Sequence, residues 1–307
     1  MREQSFFLDS ADEKIQLSCF IKAPDDKVKG VVQISHGMAE HKERYFDFMN
    51  YLVQKGYLCV IHDHRGHGES IDKKDNLGYF YDDSGEMIVK DLYIILKKIK
   101  KEYENVPYFI FAHSMGTLVA RNFLKEFDHE IDGLILSGPP YENKMANLGI
   151  KITEKIEKFK GEHYRSTFIN TLAFGSFDDK FEEKIKNKWL NSDINEVKKY
   201  NDNPLCGYIF TLNGFKNLFK MVNKAFKKEE YKVRNKNLPI LFLAGEDDPV
   251  IGGEKRFLES INFLKNIGYK NTKHILYYGL RHEILNEVNK CEVYKDILKF
   301  IEENTKK

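Results

Sequence analysis

The chain is poor in the residues that staple, kink or anchor a protein. Four cysteines (Cys19, Cys59, Cys206, Cys291) are scattered through 307 residues with no C-x-x-C pair among them. That pattern excludes a disulfide scaffold and a thiolate zinc cluster. Cys19 and Cys59 lie in apolar runs, as small buried hydrophobes do. All four read as reduced thiols, which points to the cytoplasm. No apolar run approaches the ~18 residues of a membrane span. The first residues, "MREQSFFLDSADEK", hold no apolar signal-peptide core. Neither sign of charge dominates, since 49 basic against 47 acidic side chains leave a net +2. Such a balance gives no reason to expect nucleic acid or an acidic polymer as partner. The basic runs "KKIKKEYE" and "KAFKKEEYK" read as solvated helix faces, with a membrane-surface role the lesser alternative. No internal repeat or low-complexity linker divides the chain, and nothing in it speaks to oligomeric state.

What is present is an alternation of two periods. "KIQLSCFIKAP", "GVVQISHG", "YLCVIHDH", "YFIFAH", "IDGLILSGPP", "LPILFLAGEDD" and "KHILYYG" are short strands. Between them lie helical stripes in "RYFDFMNYLVQKG", "MIVKDLYIILKKIKKEY", "GEKRFLESINFLKNIG" and a closing "EILNEVNKCEVYKDILKFI". Strands alternating with helices predict a mostly parallel sheet covered on both faces. The rhythm breaks between Tyr141 and about Val233, where amphipathic helices follow one another without a strand. One of them puts Phe215, Leu218, Phe219, Val222 and Phe226 on one face. Residues 1–140 and 234–307 are thus expected to form the core. Residues 141–233 are expected to form a helical cap over the strand ends, where α/β sheets bind ligands.

One stretch carries chemistry. "FIFAHSMGTLVARNF" runs from a strand straight into a helix, with Ser114 at the turn and small residues, Ala112 and Gly116, two positions either side. A serine hydroxyl is a weak nucleophile that must project from the backbone and meet a base. A sharp elbow projects it, and crowding there demands small neighbours. A serine capping a helix is the bland alternative. The partners of a nucleophile on such a fold should follow in the order Asp, His. Asp247 and Asp248 end one late strand and His282 ends the next, on the edge that carries Ser114. Asp248 is favoured over Asp247, because neighbours on a turn point differently and only one can face His282. Two backbone N–H groups are then needed for an oxyanion. Met115, after the serine, supplies one, and Met38 supplies the other, since Gly37 lets the chain approach closely. Read alone, His36-Gly37 is equally a strand-ending turn. His36, Gly37, Glu40 and His113 complete a candidate substrate loop. "HDHRGHGES" invites a metal reading through His62, His64 and His67, but Gly66 and Gly68 turn the chain before a fourth ligand appears. No metal is expected.

Together "SHGMAEHKERY", "DHRGHGES", "AHSMG", "GEDDPV" and "GLRHEILNE" resemble the α/β-hydrolase superfamily, and within it the monoacylglycerol lipase and lysophospholipase group, often filed with serine aminopeptidase-like hydrolases. "WLNSDINEVKKYNDNPLCGYIFT" resembles bacterial members of that group. The resemblance spans about residues 10 to 305. It implies Ser114 as nucleophile, His282 as base, Asp248 as its partner and Met38 and Met115 as oxyanion donors. It also implies that Glu40, His41, Arg44 and Tyr45 shape the loop beside the hole. It further implies no metal and no organic cofactor, while family members cleave monoacylglycerols, lysophospholipids and simple esters. The leading reading is an enzyme for esters with a single acyl chain, its cap in transient contact with a membrane surface at most. A peptidase or amidase is the competing enzyme. It would need acidic groups for an amino terminus, for which Asp178, Asp179, Glu182 and Glu183 are the candidates. A non-catalytic binding protein is the competing class, and it would usually show a broken triad.

Overall fold

The computed structural model describes residues 1–305. The chain opens with an antiparallel pair, β1 (Arg2–Asp9) and β2 (Gln16–Ala23). The α/β rhythm then begins with β3 (Gly30–Ser35), α1 (Phe46–Gln54), β4 (Tyr57–His62), α2 (Met87–Glu102), β5 (Tyr108–His113), α3 (Met115–Phe127) and β6 (Gly133–Ser137). Four helices follow without a strand between them: α4 (Ala146–Lys160), α5 (Thr167–Phe174), α6 (Ile194–Asp202) and α7 (Leu212–Ala225). The rhythm resumes with β7 (Ile240–Gly245), α8 (Glu254–Ile267), β8 (Thr272–Tyr277) and α9 (Lys290–Thr305). The eight strands form one sheet in the order β1-β2-β4-β3-β5-β6-β7-β8, parallel from β4 to β8. This is the mostly parallel sheet expected from the alternation, and the α/β-hydrolase architecture that the resemblance implies.

The parallel strands are apolar along their length because both faces are covered. On one face α2, α3 and α8 pack through Leu92, Ile95, Leu118, Phe123, Phe257 and Ile261. On the other, α1 and α9 pack through Phe48, Leu52, Ile297 and Ile301. Each such side chain taken from water contributes about 1.5–3 kcal/mol. In a sheet built this way every parallel strand ends on the same edge, so the loops after β3, β5, β6, β7 and β8 meet there.

Two details differ from the sequence reading. The edge strand β1 has no counterpart among the expected strands. Its burial alternates only from Phe6 onward, and its first four residues are exposed. The closing helix starts at Lys290 rather than near Glu283, because residues 283–289 turn instead to hold the loop after β8. Within the expected cap, α7 meets the core directly. It packs on α3 and α4, and Phe215, Leu218 and Met221 enter the same apolar cluster as the sheet. No helix among the described residues is long and apolar enough to cross a membrane.

Candidate active site

Ser114 joins β5 to α3 with φ 52° and ψ −119°, a conformation an L-residue adopts only when its surroundings impose it. The imposition is visible at Gly116, where a Cβ would lie 2.1 Å from the Ser35 carbonyl oxygen. The first turn of α3 is pressed onto the end of β3, and only glycine fits. Ser114 itself is partly exposed, between buried His113 and buried Met115. Helix α3 then points the positive end of its dipole at the serine.

The loops after β7 and β8 bring a carboxylate to an imidazole. Asp248 Oδ2 lies 2.8 Å from Nδ1 of His282, and both residues are buried. The other Asp248 oxygen accepts the Val250 N–H at 2.8 Å, which fixes the carboxylate. With Nδ1 donating to the carboxylate, Nε2 is the ring's free basic nitrogen. Asp247 faces away and pairs with Lys180 at 2.9 Å, with both side chains more than 40% exposed. The loop after β6 is shaped around the pair. A Cβ on Gly138 (φ 58°) would come within 2.9 Å of the His282 ring and 3.1 Å of Asp248.

Across from them, the loop after β3 lies over the serine. A Cβ on Gly37 would sit 3.2 Å from the Ser114 Cβ and 3.2 Å from the His113 ring. The Gly37 N–H donates to Glu40 Oε1 at 2.5 Å. That leaves the Met38 N–H without a partner among the described residues. Met115, the first residue of α3, has an N–H the helix does not use. The loop turns at Ala39, whose φ is 50°. The Ala39 carbonyl accepts from Gly207 N at 2.9 Å and from the Tyr200 hydroxyl at 3.1 Å.

Glu40 is the centre of a buried ionic cluster. It accepts the Tyr45 hydroxyl and Arg44 Nη1, both at 2.8 Å. Burial opposes its charge, but Arg44 and the nearby histidines hold its carboxyl well below the usual carboxylate range. Arg44 also makes two parallel bonds of 2.6 Å to Glu283, the residue after His282. His41 takes no part and bonds the Asn203 side chain instead.

The histidines of "HDHRGHGES" pack into one another rather than around a centre. Ring centroids are 4.3 Å apart for His36 and His64, 5.2 Å for His36 and His67, and 4.7 Å for His62 and His64. Nδ1 of His36 donates to the Gly37 carbonyl at 2.8 Å and Nε2 accepts the His64 N–H at 2.9 Å, so His36 is neutral and ties the two loops together. Burial, reinforced by neighbouring imidazoles, pushes His62 and His67 down to about 3, and burial also lowers His36 and His64. His113, its ring 4.6 Å from that of His282, is likewise pushed down to about 3, by burial first and His282 second. Among the described residues, acidic ligand atoms converge at Asp83, Glu157 and Glu162. Lys216 already pairs with two of them, 2.8 Å from both Asp83 and Glu157.

Two of the four acids that a peptidase would need are already engaged. Asp178 accepts the N–H groups of Asn187 and Trp189, and Glu183 pairs with Arg281 at 2.5 Å. The sequence reading did not single out Gly138, Trp189, Arg281, Glu283 or Glu287. Gly138 and Trp189 reach His282 from distant parts of the chain, whereas Arg281, Glu283 and Glu287 stand in its own loop and bond Glu183, Arg44 and Ser192 elsewhere; none of these residue types carries a signal of it.

A family model described as serine aminopeptidase, S33, matches residues 26–289. The chain belongs to that family. It is 26% identical to the monoglyceride lipase of Rattus norvegicus over 282 residues, 89% of this chain and 85% of the relative. It is 24% identical to the probable lysophospholipase L2 of Haemophilus influenzae over 295 residues, 91% and 84% of the two chains. A carboxyl esterase structure from Bacillus coagulans superposes with a TM-score of 0.92 at 26% identity, covering 99% of each chain. Within the serine aminopeptidase S33 family the chain falls in the monoacylglycerol lipase and lysophospholipase-like group, and it is a hydrolytic enzyme.

Proposed function

We propose that the chain hydrolyses carboxylic esters of single-chain lipids through an acyl-enzyme on Ser114. The observation that carries this reading is the strained Ser114 elbow on the sheet edge where the Asp248–His282 pair also stands. His282 Nε2 takes the proton as the Ser114 Oγ adds to the ester carbonyl. The new oxyanion accepts from the Met38 and Met115 N–H groups, which have no other partner to give up. Asp248 keeps the imidazole in the tautomer this needs and stabilises the imidazolium. The C–O bond then breaks, and the departing alkoxide takes the proton from His282 and leaves as alcohol. Water repeats the sequence on the acyl-Ser114, releasing the acid and returning the proton to the serine. Neither a metal nor an organic cofactor enters any step.

Residues 141–233 act as a cap on residues 1–140 and 234–307. Relatives named for monoglyceride lipase and lysophospholipase activity support a lipid ester with one acyl chain as substrate. Side chains left exposed on α4 and α5, including Leu148, Phe159, Phe168 and Leu172, fit transient contact of the cap with a lipid surface. Four free thiols fit a cytoplasmic setting. The test is a panel of p-nitrophenyl esters, monoacylglycerols, lysophospholipids and aminoacyl amides, run on wild type and Ser114→Ala. Ester turnover should fall about 10⁶-fold in the variant with folding intact. Ester hydrolysis retained above about a tenth of wild type, or a preference for the amides, sinks the reading.

A further inference from the structure

Two stretches far apart in sequence are stitched together at the candidate site. On one side runs the cap segment 178–192, and on the other the loop that carries His282. Arg281 Nη1 donates to the carbonyls of Lys188 at 2.6 Å and Asn191 at 3.2 Å. The Glu283 N–H donates to the Leu190 carbonyl at 2.8 Å. Glu287, which is buried, accepts both the Arg281 N–H at 2.9 Å and the Ser192 N–H at 3.0 Å, and also the Ser192 hydroxyl. Residues on both sides of Trp189 are thus bonded to residues on both sides of His282. The consequence is a direct contact. The Trp189 ring lies 5.1 Å from the His282 ring, tilted by 42°, and is backed by Phe177 at 5.1 Å.

We propose that Trp189 is a positioning residue for His282, so that the cap takes part in the chemistry as well as covering it. The proposal rests on His282 being the base, as argued above. Asp248 holds the imidazole at one atom only, which leaves the ring free to swing about that bond. Packed rings remove the swing, and two rings pack here: His113 from β5 and Trp189 from the cap. A base displaced by about 1 Å from its reacting atom loses on the order of 10²-fold in rate. The ring also keeps water off part of the imidazole, and an aromatic residue of another size could do so partly.

Trp189 is the only tryptophan in the chain, which makes the contact directly observable. The kinetic arm compares wild type, Trp189→Ala and Trp189→Phe on one p-nitrophenyl ester. Trp189→Ala should lower kcat about 10- to 100-fold with KM within about 2-fold, and Trp189→Phe should recover most of kcat. An unchanged kcat in folded Trp189→Ala, a loss that appears only in KM, or no recovery with phenylalanine overturns the proposal. The spectroscopic arm needs no substitution at Trp189. Tryptophan emission is quenched by a neighbouring imidazolium, so wild type should show a pH-dependent step that His282→Ala lacks. Coincident titrations in the two proteins show that the contact does not form and overturn the proposal. Ser114→Ala run beside them separates the cases, because retained activity there defeats the triad and leaves the fluorescence result standing.

Discussion

Arg44 is the residue whose loss the structure prices most directly. Its side chain is 12% exposed and lies between Glu40, at 4%, and Glu283, at 5%. Replacing it by methionine keeps the apolar stem and removes the guanidinium. Two buried carboxylates are then left facing each other with no cation. Breaking a buried ion pair from one side typically costs 3–5 kcal/mol. An unfolding entropy near 2.1 cal/mol/K per residue gives a 307-residue chain about 0.6 kcal/mol/K, so the melting temperature should drop by about 5–8 °C. The pH dependence has a definite sign. In the wild type the Glu40 carboxyl titrates below its ordinary value, so its contribution is present above that value and is lost as pH falls through the lower, folded one. Without Arg44, burial raises the same carboxyl, and the variant relieves its cost by taking up a proton. The gap between the two proteins should therefore be wide at pH 7 and narrower at pH 5. Differential scanning calorimetry at both values is the assay. A gap of less than about 2 °C at pH 7, or one that widens on acidification, refutes the reasoning.

Further outcomes follow from the same geometry. Asp248→Asn should cost about 10⁴-fold in kcat by favouring the wrong tautomer of His282. Asp247→Asn, exposed and paired only with Lys180, should stay within about 3-fold. The reverse ranking in steady-state assays would reassign the acid. Phe215→Ala, fully buried against the sheet-side cluster, should lose about 3–5 kcal/mol in urea unfolding and leave the acyl chain-length profile unchanged. A changed profile with intact stability would place Phe215 on the substrate path instead.

Much of this arrangement was legible in the sequence. The parallel strands could be read because burial on both faces demands unbroken apolar runs. The Ser114 elbow could be read because its strain requires small residues at fixed offsets. Other parts left no local trace. β1 is an edge strand whose outer half is exposed, so its pattern is weak. Arg44 and Glu283 are separated by 239 positions, and nothing in either neighbourhood announces the pairing. The helical stripe containing Phe215 was visible, but a stripe does not say whether it faces a channel or a core, and here α7 faces α3. Nothing in the sequence around Trp189 points to His282. Its place beside His282 follows from hydrogen bonds of Arg281 and Glu287 that only the folded chain brings together.

The interleaved histidines have a bearing on where such an enzyme can operate. His36, His62, His64, His67 and His113 are all buried as neutral rings, each titrating below the ordinary 6.5. Unfolded chains take up protons at these rings before folded ones do. Stability is therefore held above that value and falls as the medium becomes more acidic, by up to about 1.4 kcal/mol per pH unit for each ring. Several such rings acting together set an acidic threshold against a typical stability of about 5–15 kcal/mol. Ester cleavage liberates one carboxylic acid per turnover. In a poorly buffered droplet or vesicle the product itself would drive the catalyst toward that threshold, and the scaffold would yield before the supply of substrate did.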